Sequence, residues 1–168
     1  MKILIVYYSL TGNTRLMADI IRQTLNLDET AMLEIKPVKD FAAGKFSTYM
    51  WGGFQAKMSS TPELQPYDLD VGQYDLIFLG TPVWAWTLAP PVRSFVEKEA
   101  AKLKTAKLAL FACSGGDGRK AMERFEKFLQ GYTIIGTRRF IEPKSSRPEE
   151  QKEKAIAWAK EMIAKVNL

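Results

Sequence analysis

The run Tyr74-Asp-Leu-Ile-Phe-Leu-Gly80 constrains this chain more than any other stretch. It is almost unbroken in its apolar character and has the length of one strand. Alternating polarity would suit a sheet with one wet face, whereas a continuous run suits a strand buried on both faces. Such a strand needs helical layers above and below it, and the rest of the chain supplies them in alternation.

The β-branched run Ile3 to Val6 ends in Tyr7 and Tyr8, and the polar turn Ser9 to Thr14 follows. A helix over Thr14 to Leu25 is predicted next, with Leu16/Met17, Ile20/Ile21 and Thr24/Leu25 on one stripe. Thr30 to Ile35 reads as a second strand stopped before Pro37. Phe41 to Met58 has helical character weakened by Gly44, Gly52 and Gly53, and Pro62 and Pro66 mark an extended connection. After the 74–80 strand comes the loop Thr81-Pro-Val-Trp-Ala-Trp-Thr87. Pro90-Pro91 then suit the first turn of a helix carrying Val92, Phe95 and Val96.

Lys107 to Ala112 is the fourth strand. The loop Cys113 to Gly118 and a helix with Ala121, Met122, Phe125 and Phe128/Leu129 follow. Gly131 to Ile141 is the fifth strand. Ser146-Arg-Pro-Glu149 has capping-box spacing ahead of a last helix with Ile156, Ala159, Ile163 and Val166 on one side. The fold class expected is α/β, one domain over residues 1–168, with five parallel strands, right-handed crossovers and helices on both faces.

Composition narrows the chemistry. The chain has 168 residues and no histidine, so Ser-His-Asp and Cys-His nucleophiles are excluded and most zinc sites with them. Its one cysteine, Cys113, cannot form an intramolecular disulfide. With no apolar run of membrane-spanning length and a strand directly after Met1-Lys2, a cytoplasmic protein away from the membrane is expected. The formal charge of +5 is uneven: residues 1–97 carry 8 basic and 10 acidic side chains, residues 98–168 carry 16 and 9. This pattern fits solvated helix faces or a basic surface for an acidic partner. Nucleic acid is not expected, because aromatics are not interleaved with the basic residues.

In a parallel sheet of this kind, ligands bind beyond the carboxyl ends of the strands. Three loops that leave those ends are chemically loaded: 9–14, 81–87 and 113–118. The first joins a strand to a helix N-terminus through a hydroxyl-rich turn, which describes an anion cradle. The turn contains no Lys, which excludes a P-loop.

The pattern Ile5-Val6-Tyr7-x-Ser9-x-x-Gly12-x-Thr14-x-x-x-Ala18-x-x-Ile21 resembles the flavodoxin signature at every specified position. GTPVWAWTLAPPVRSF, between YDLIFL and LFACSGGDG, is similar to the GTPxW and SGG loops of short flavodoxin-like proteins. The resemblance implies a flavodoxin-like three-layer sandwich of strand order 2-1-3-4-5 with FMN as cofactor.

FMN's phosphate carries roughly two negative charges. It would meet the hydroxyls of Ser9, Thr11 and Thr14 and the N–H groups of Leu10, Thr11, Gly12, Asn13 and Thr14, with no Lys or Arg required. Thr81, Pro82, Val83, Trp84, Ala85 and Trp86 would supply amides and an indole for the flavin ring, Trp84 nearest and Trp86 second. Ser114, Gly115, Gly116 and Asp117 would present N–H groups to the pyrimidine oxygens. Tyr49, Trp51 and Phe54 would close the other ring face or pack in the core or a homodimer contact.

No catalytic side chain and no metal site is expected. The resemblance implies electron transfer between protein partners, with an NAD(P)H-dependent reductase serving a quinone or other small acceptor as the alternative. Electron-carrying flavodoxins are usually acidic, and this chain, with a sequence pI near 9.3, departs from that. A remote alternative comes from Cys113-x5-Arg119, whose spacing resembles the phosphate loop of tyrosine phosphatases. There a thiolate attacks phosphate and the Arg grips its oxygens.

Overall fold

Each apolar run becomes a strand, and alternation along it sorts side chains to two faces. The computed structural model describes residues 1–25, 28, 30–39 and 60–166. The first strand, β1 (Ile3–Tyr7), sends Leu4 and Val6 to one face and Ile3, Ile5 and Tyr7 to the other. All five are buried, as a strand covered on both sides requires.

Helix α1 (Asn13–Thr24) leads to β2 (Thr30–Glu34), which pairs with β1 in parallel. β3 (Leu76–Trp84) pairs with the other edge of β1, and after it come the two-residue strand β4 (Thr87–Leu88), α2 (Pro90–Lys98) and the single turn α3 (Ala100–Leu103). β5 (Lys107–Ser114), α4 (Arg119–Phe128), β6 (Thr133–Ile141) and α5 (Pro148–Val166) complete the chain. The strands lie in the order β2-β1-β3-β5-β6, with β4 paired only to β3. Apart from that short antiparallel strand, the sheet is parallel and has the expected 2-1-3-4-5 order.

One layer of core packs Leu4, Val6, Leu79 and Leu110 against Val92, Phe95 and Val96 of α2 and Met122 and Phe125 of α4. The other packs Ile5, Phe78 and Phe111 against Met17 and Ile21 of α1 and Trp158, Ala159 and Met162 of α5. Fully burying each such side chain is worth about 1.5–3 kcal/mol, so the two layers together hold the sheet.

Three expectations change. The third strand does not stop at Gly80: it runs to Trp84 and turns back through Ala85-Trp86 into β4. The last helix buries Gln151, Ala155, Trp158, Ala159 and Met162, while Ile156, Ile163 and Val166 sit at the half-buried margin. That helix does not start in a capping box. The Arg147 carbonyl accepts the first helical bond from the Gln151 N–H (3.1 Å), and Pro148 takes the first helical position. The helix expected over 41–58, with Tyr49, Trp51 and Phe54, lies outside the described residues. Beyond it, residues 60–70 hold no helix or named strand, and Leu64 bridges to Pro37.

Gly80 sits in the middle of the sheet, where β1, β3 and β5 run side by side. An ideal Cβ there would lie 2.2 Å from Cζ of Phe111. That ring cannot retreat, because Phe140 and Trp158 stand at centroid distances of 6.3 and 6.2 Å. Gly80→Ala is expected to cost roughly 1–3 kcal/mol by overpacking. That lowers the melting temperature by about 2–12 °C in a domain of this size; an unchanged melting temperature would contradict the packing described.

Candidate functional site

The loaded loops meet at the carboxyl edge of the sheet. In register, Tyr7 pairs with Gly80 and Gly80 with Phe111, so β1 ends at their level. β3 and β5 run on past it, with Pro82 beside Cys113. The 9–14 turn therefore starts from a lower step beside two taller strands.

Helix α1 follows Gly12, which is held in the left-handed conformation (φ 87°) and has no side chain of its own to cap it. Glycine takes that conformation without steric cost. The Arg15 N–H donates to Ser9 Oγ (3.2 Å), and Asn13 Nδ2 donates to Thr11 Oγ1 (3.3 Å). Thr14 is buried, and its Oγ1 has no hydrogen-bond partner among nitrogen and oxygen atoms. Its polar neighbour is the Cys113 thiol. Ser9 Oγ meets the N–H of Arg15, the third residue of α1, and Gly12 has no side chain to cap the N–H groups before it, so an anion would be welcome at this helix start.

The second loop is a tight hairpin. Ala85 (φ 45°) and Trp86 (φ 59°) both occupy the left-handed region that two-residue hairpin turns demand, and neither is glycine. Arg124 of α4 donates to the carbonyls of Ala85 (3.5 Å) and Trp86 (3.2 Å), which ties the strained turn down. Thr81 is buried, and its hydroxyl is used inside the fold: it accepts from the Ala89 N–H and donates to the Pro82 carbonyl, both at 2.9 Å. Pro82, Val83 and Ala85 are half-buried. The two indoles part company. Trp84 is buried in the core, edge-on to Tyr8 at 5.5 Å, whereas Trp86 is 63% exposed.

In the third loop Ser114 closes β5, its hydroxyl donating to the Gly116 carbonyl, and Gly115, Gly116 and Asp117 are exposed. Asp117 is gripped by Arg119 (2.6 Å) and by Arg139 of β6, which also donates to the Asp117 carbonyl (2.7 Å). The Arg119 hydrogen bond, with the Arg139 one behind it, holds the Asp117 carboxyl below its ordinary range. Helix α4 opens as α1 does, at a left-handed glycine (Gly118, φ 68°) with no side-chain cap.

Sequence reasoning missed the cations that hold these loops. Arg124 holds the hairpin and Arg139 holds the glycine loop. Lys144, from the turn between β6 and α5, donates through Nζ to the Thr11 carbonyl and through its backbone N–H to Asn13 Oδ1, both at 3.1 Å. All three belong to the basic part of the chain after residue 97. That charge imbalance was the only signal of them in the sequence.

The Cys-x5-Arg spacing does not form a phosphatase loop. Cys113 lies within β5, and its burial pushes the thiol up to about 12, with a small opposing contribution from the Thr14 hydroxyl. A neutral buried thiol is not a nucleophile, and Arg119 is engaged with Asp117. The thiol's contribution to stability is fully present below the unfolded-state value near ~8.5 and is lost as pH rises toward the folded value.

Cys113 is therefore expected to resist an aromatic disulfide reagent in native protein at mild alkaline pH and to react once urea unfolds the chain; fast native reaction would contradict its burial. Ala85→Gly should stabilise the fold by about 0.5–1 kcal/mol, since it relieves a left-handed L-residue at the expense of some unfolded-chain entropy. A urea melt reads the effect, and a loss of stability would mean that the turn is not strained.

The comparisons with known proteins bear on the same region. A flavodoxin-domain family model matches residues 53–140, just over half of the chain. A flavoprotein of Lactobacillus acidophilus NCFM, solved in complex with FMN, is 28% identical, with a TM-score of 0.68 over 82% of this chain and 92% of that one. Two-electron reduced flavodoxin of Megasphaera elsdenii is 26% identical, with a TM-score of 0.60 over 94% and 98% of the two chains. Flavodoxin 2 of Bacillus cereus, 24% identical over 98% and 99%, shares the fold at a TM-score of 0.61. A search of curated protein sequences finds no match. With its 2-1-3-4-5 parallel order, its three converging loops and this family match, the chain belongs to the flavodoxin family.

Proposed function

We propose that this protein binds FMN at the carboxyl edge of the sheet and carries electrons between protein partners in the cytoplasm. The observation that carries the reading is the start of α1 at left-handed Gly12, which has no side chain to cap the helix, with two further loops leaving the same edge of the sheet. The donor set suits a phosphate monoester. Ser9 and Thr11 hydroxyls and the first N–H groups of α1 are hydrogen-bonding groups at the positive end of a helix dipole. A flavin ring would fit beside them against the hairpin, whose exposed Trp86 offers the indole face that buried Trp84 does not. Gly116, with nothing within 4 Å of its Cβ position, and Gly115, with Glu142 Oε1 3.5 Å away, would let their N–H groups approach the polar edge of the ring.

When bound, FMN supplies the group that takes up and releases electrons. The chain's own share is to bind, orient and shield it. Arg124 and Arg139 fix the two ring-side loops through their carbonyls. Among the described residues no helix is long and apolar enough to cross a membrane, in keeping with a partner met in solution.

Purified protein is expected to be yellow, or to acquire flavin absorbance when apoprotein is mixed with FMN. Rapid mixing of the FMN form with NADH or NADPH should leave it oxidised until a partner reductase is added. Protein that takes up no FMN would overturn the cofactor assignment. Bleaching by NAD(P)H alone at a turnover rate would replace the carrier with a reductase.

A further inference from the structure

We infer that Lys144 is a phosphate-binding residue, delivered to the anion cradle from 131 residues beyond Asn13. The inference rests on the FMN reading above and adds a cation to a cradle whose own sequence has no Lys. The turn that presents Lys144 is well built: the N–H groups of Ser145 (2.9 Å) and Ser146 (2.7 Å) both donate to the Glu142 carbonyl. The preceding Pro143 is buried. Backbone and side chain of Lys144 both reach the 9–14 turn, the first on Asn13 Oδ1 and the second on the Thr11 carbonyl.

Gly12 makes the approach possible. A Cβ there would sit 2.9 Å from Lys144 Nζ, so the ammonium lies against the bare glycine at the N-terminus of α1. An ammonium has three donors and no acceptor. One is used on Thr11, which leaves two for phosphate oxygens. Its charge is also uncommitted. Arg15 is paired with Glu34, and Arg119 and Arg139 with Asp117, whereas among the described residues no carboxylate pairs with Lys144. A dianionic phosphate monoester is the ligand this combination recognises: helix N–H groups and hydroxyls on one side, a point charge on the other.

The test compares FMN with riboflavin, which has the same ring and no phosphate. Fluorescence quenching of each flavin by apoprotein gives both affinities for the wild type, Lys144→Gln and Lys144→Arg. The expected result is FMN binding on the order of tenfold weaker in Lys144→Gln, riboflavin binding unchanged, and recovery of most of the loss in Lys144→Arg. The FMN affinity of the wild type should also fall more steeply with added salt than that of Lys144→Gln. Equal FMN affinity in wild type and Lys144→Gln, with the same salt dependence, would overturn the role of Lys144 and leave the cofactor assignment standing. A loss of FMN and riboflavin binding in equal measure would mean that Lys144 only shapes the turn, and it too would overturn the role. No FMN binding by the wild type would overturn the cofactor assignment and this inference together.

Discussion

Everything at the carboxyl edge depends on the parallel backbone ladder among β1, β3 and β5. Buried N–H and C=O groups must be paired, and in a parallel sheet each new strand reaches its place only after a crossover that returns the chain to the same end. Residues far apart in sequence are thereby set level: Tyr7 beside Gly80, and Gly80 beside Phe111. Once that register is fixed, the loops after the three strands have one edge to share. Gly80 is where the ladder is tightest, because a bare backbone there makes room for the Phe111 ring and the aromatic group around Trp158. Core packing and site placement are thus one constraint met on two faces.

The helices add polarity to that edge. Helices α1 and α4 both start there at left-handed glycines, which have no side chain to cap them. Each contributes a partial positive charge on its first N–H groups. The uneven charge of the sequence divides along the same line. Lys152, Lys154 and Lys165 pair with Glu149, Glu150 and Glu161 on the exposed face of α5, where such pairs are worth only a few tenths of a kcal/mol. Arg124, Arg139 and Lys144 instead reach across to the loops, one to each. The basic excess is partly a solvated helix face and partly the scaffold of the site.

Legibility in the sequence followed the range of the interaction. Strands and helices were readable because periodicity is local, and the 9–14 turn because its hydroxyls and glycine are contiguous. The length of β3 was hidden by Thr81 and Pro82, which read as loop although both are paired across to β5. The hairpin after it lacks the Asn-Gly signal of such turns and uses Ala85-Trp86 in strained form. For the same reason the order expected of the indoles, Trp84 nearest the ring and Trp86 second, could not draw on their burial: a two-residue turn sends Trp84 into the core and Trp86 to the surface. The buried face of α5 was displaced because Ala155 and Gln151 carry no hydrophobic signal, while Ile156 and Ile163 do and sit at the margin. No local pattern announces Lys144, whose partners Thr11 and Asn13 precede it by most of the chain.

Charge at the edge also bears on what an electron-carrying reading requires. Asp117 is the one acidic side chain within the three loops, and two guanidiniums outweigh it. Its lowered pKa means that the clamp holds through neutral pH and loosens only as pH falls through the depressed value. With Lys144 and the α1 start given to the phosphate, the Arg119–Asp117–Arg139 cluster keeps one net positive charge at the edge, and Glu142 stands near it with Oε1 3.5 Å from the Cβ position of Gly115. Charge left at the edge acts on an approaching surface chiefly through association rate and with strong salt dependence. In the electron-carrying reading, that residual charge is what a redox partner would meet. Trp86, 63% exposed and held through its carbonyl by Arg124, stands at the rim of that edge.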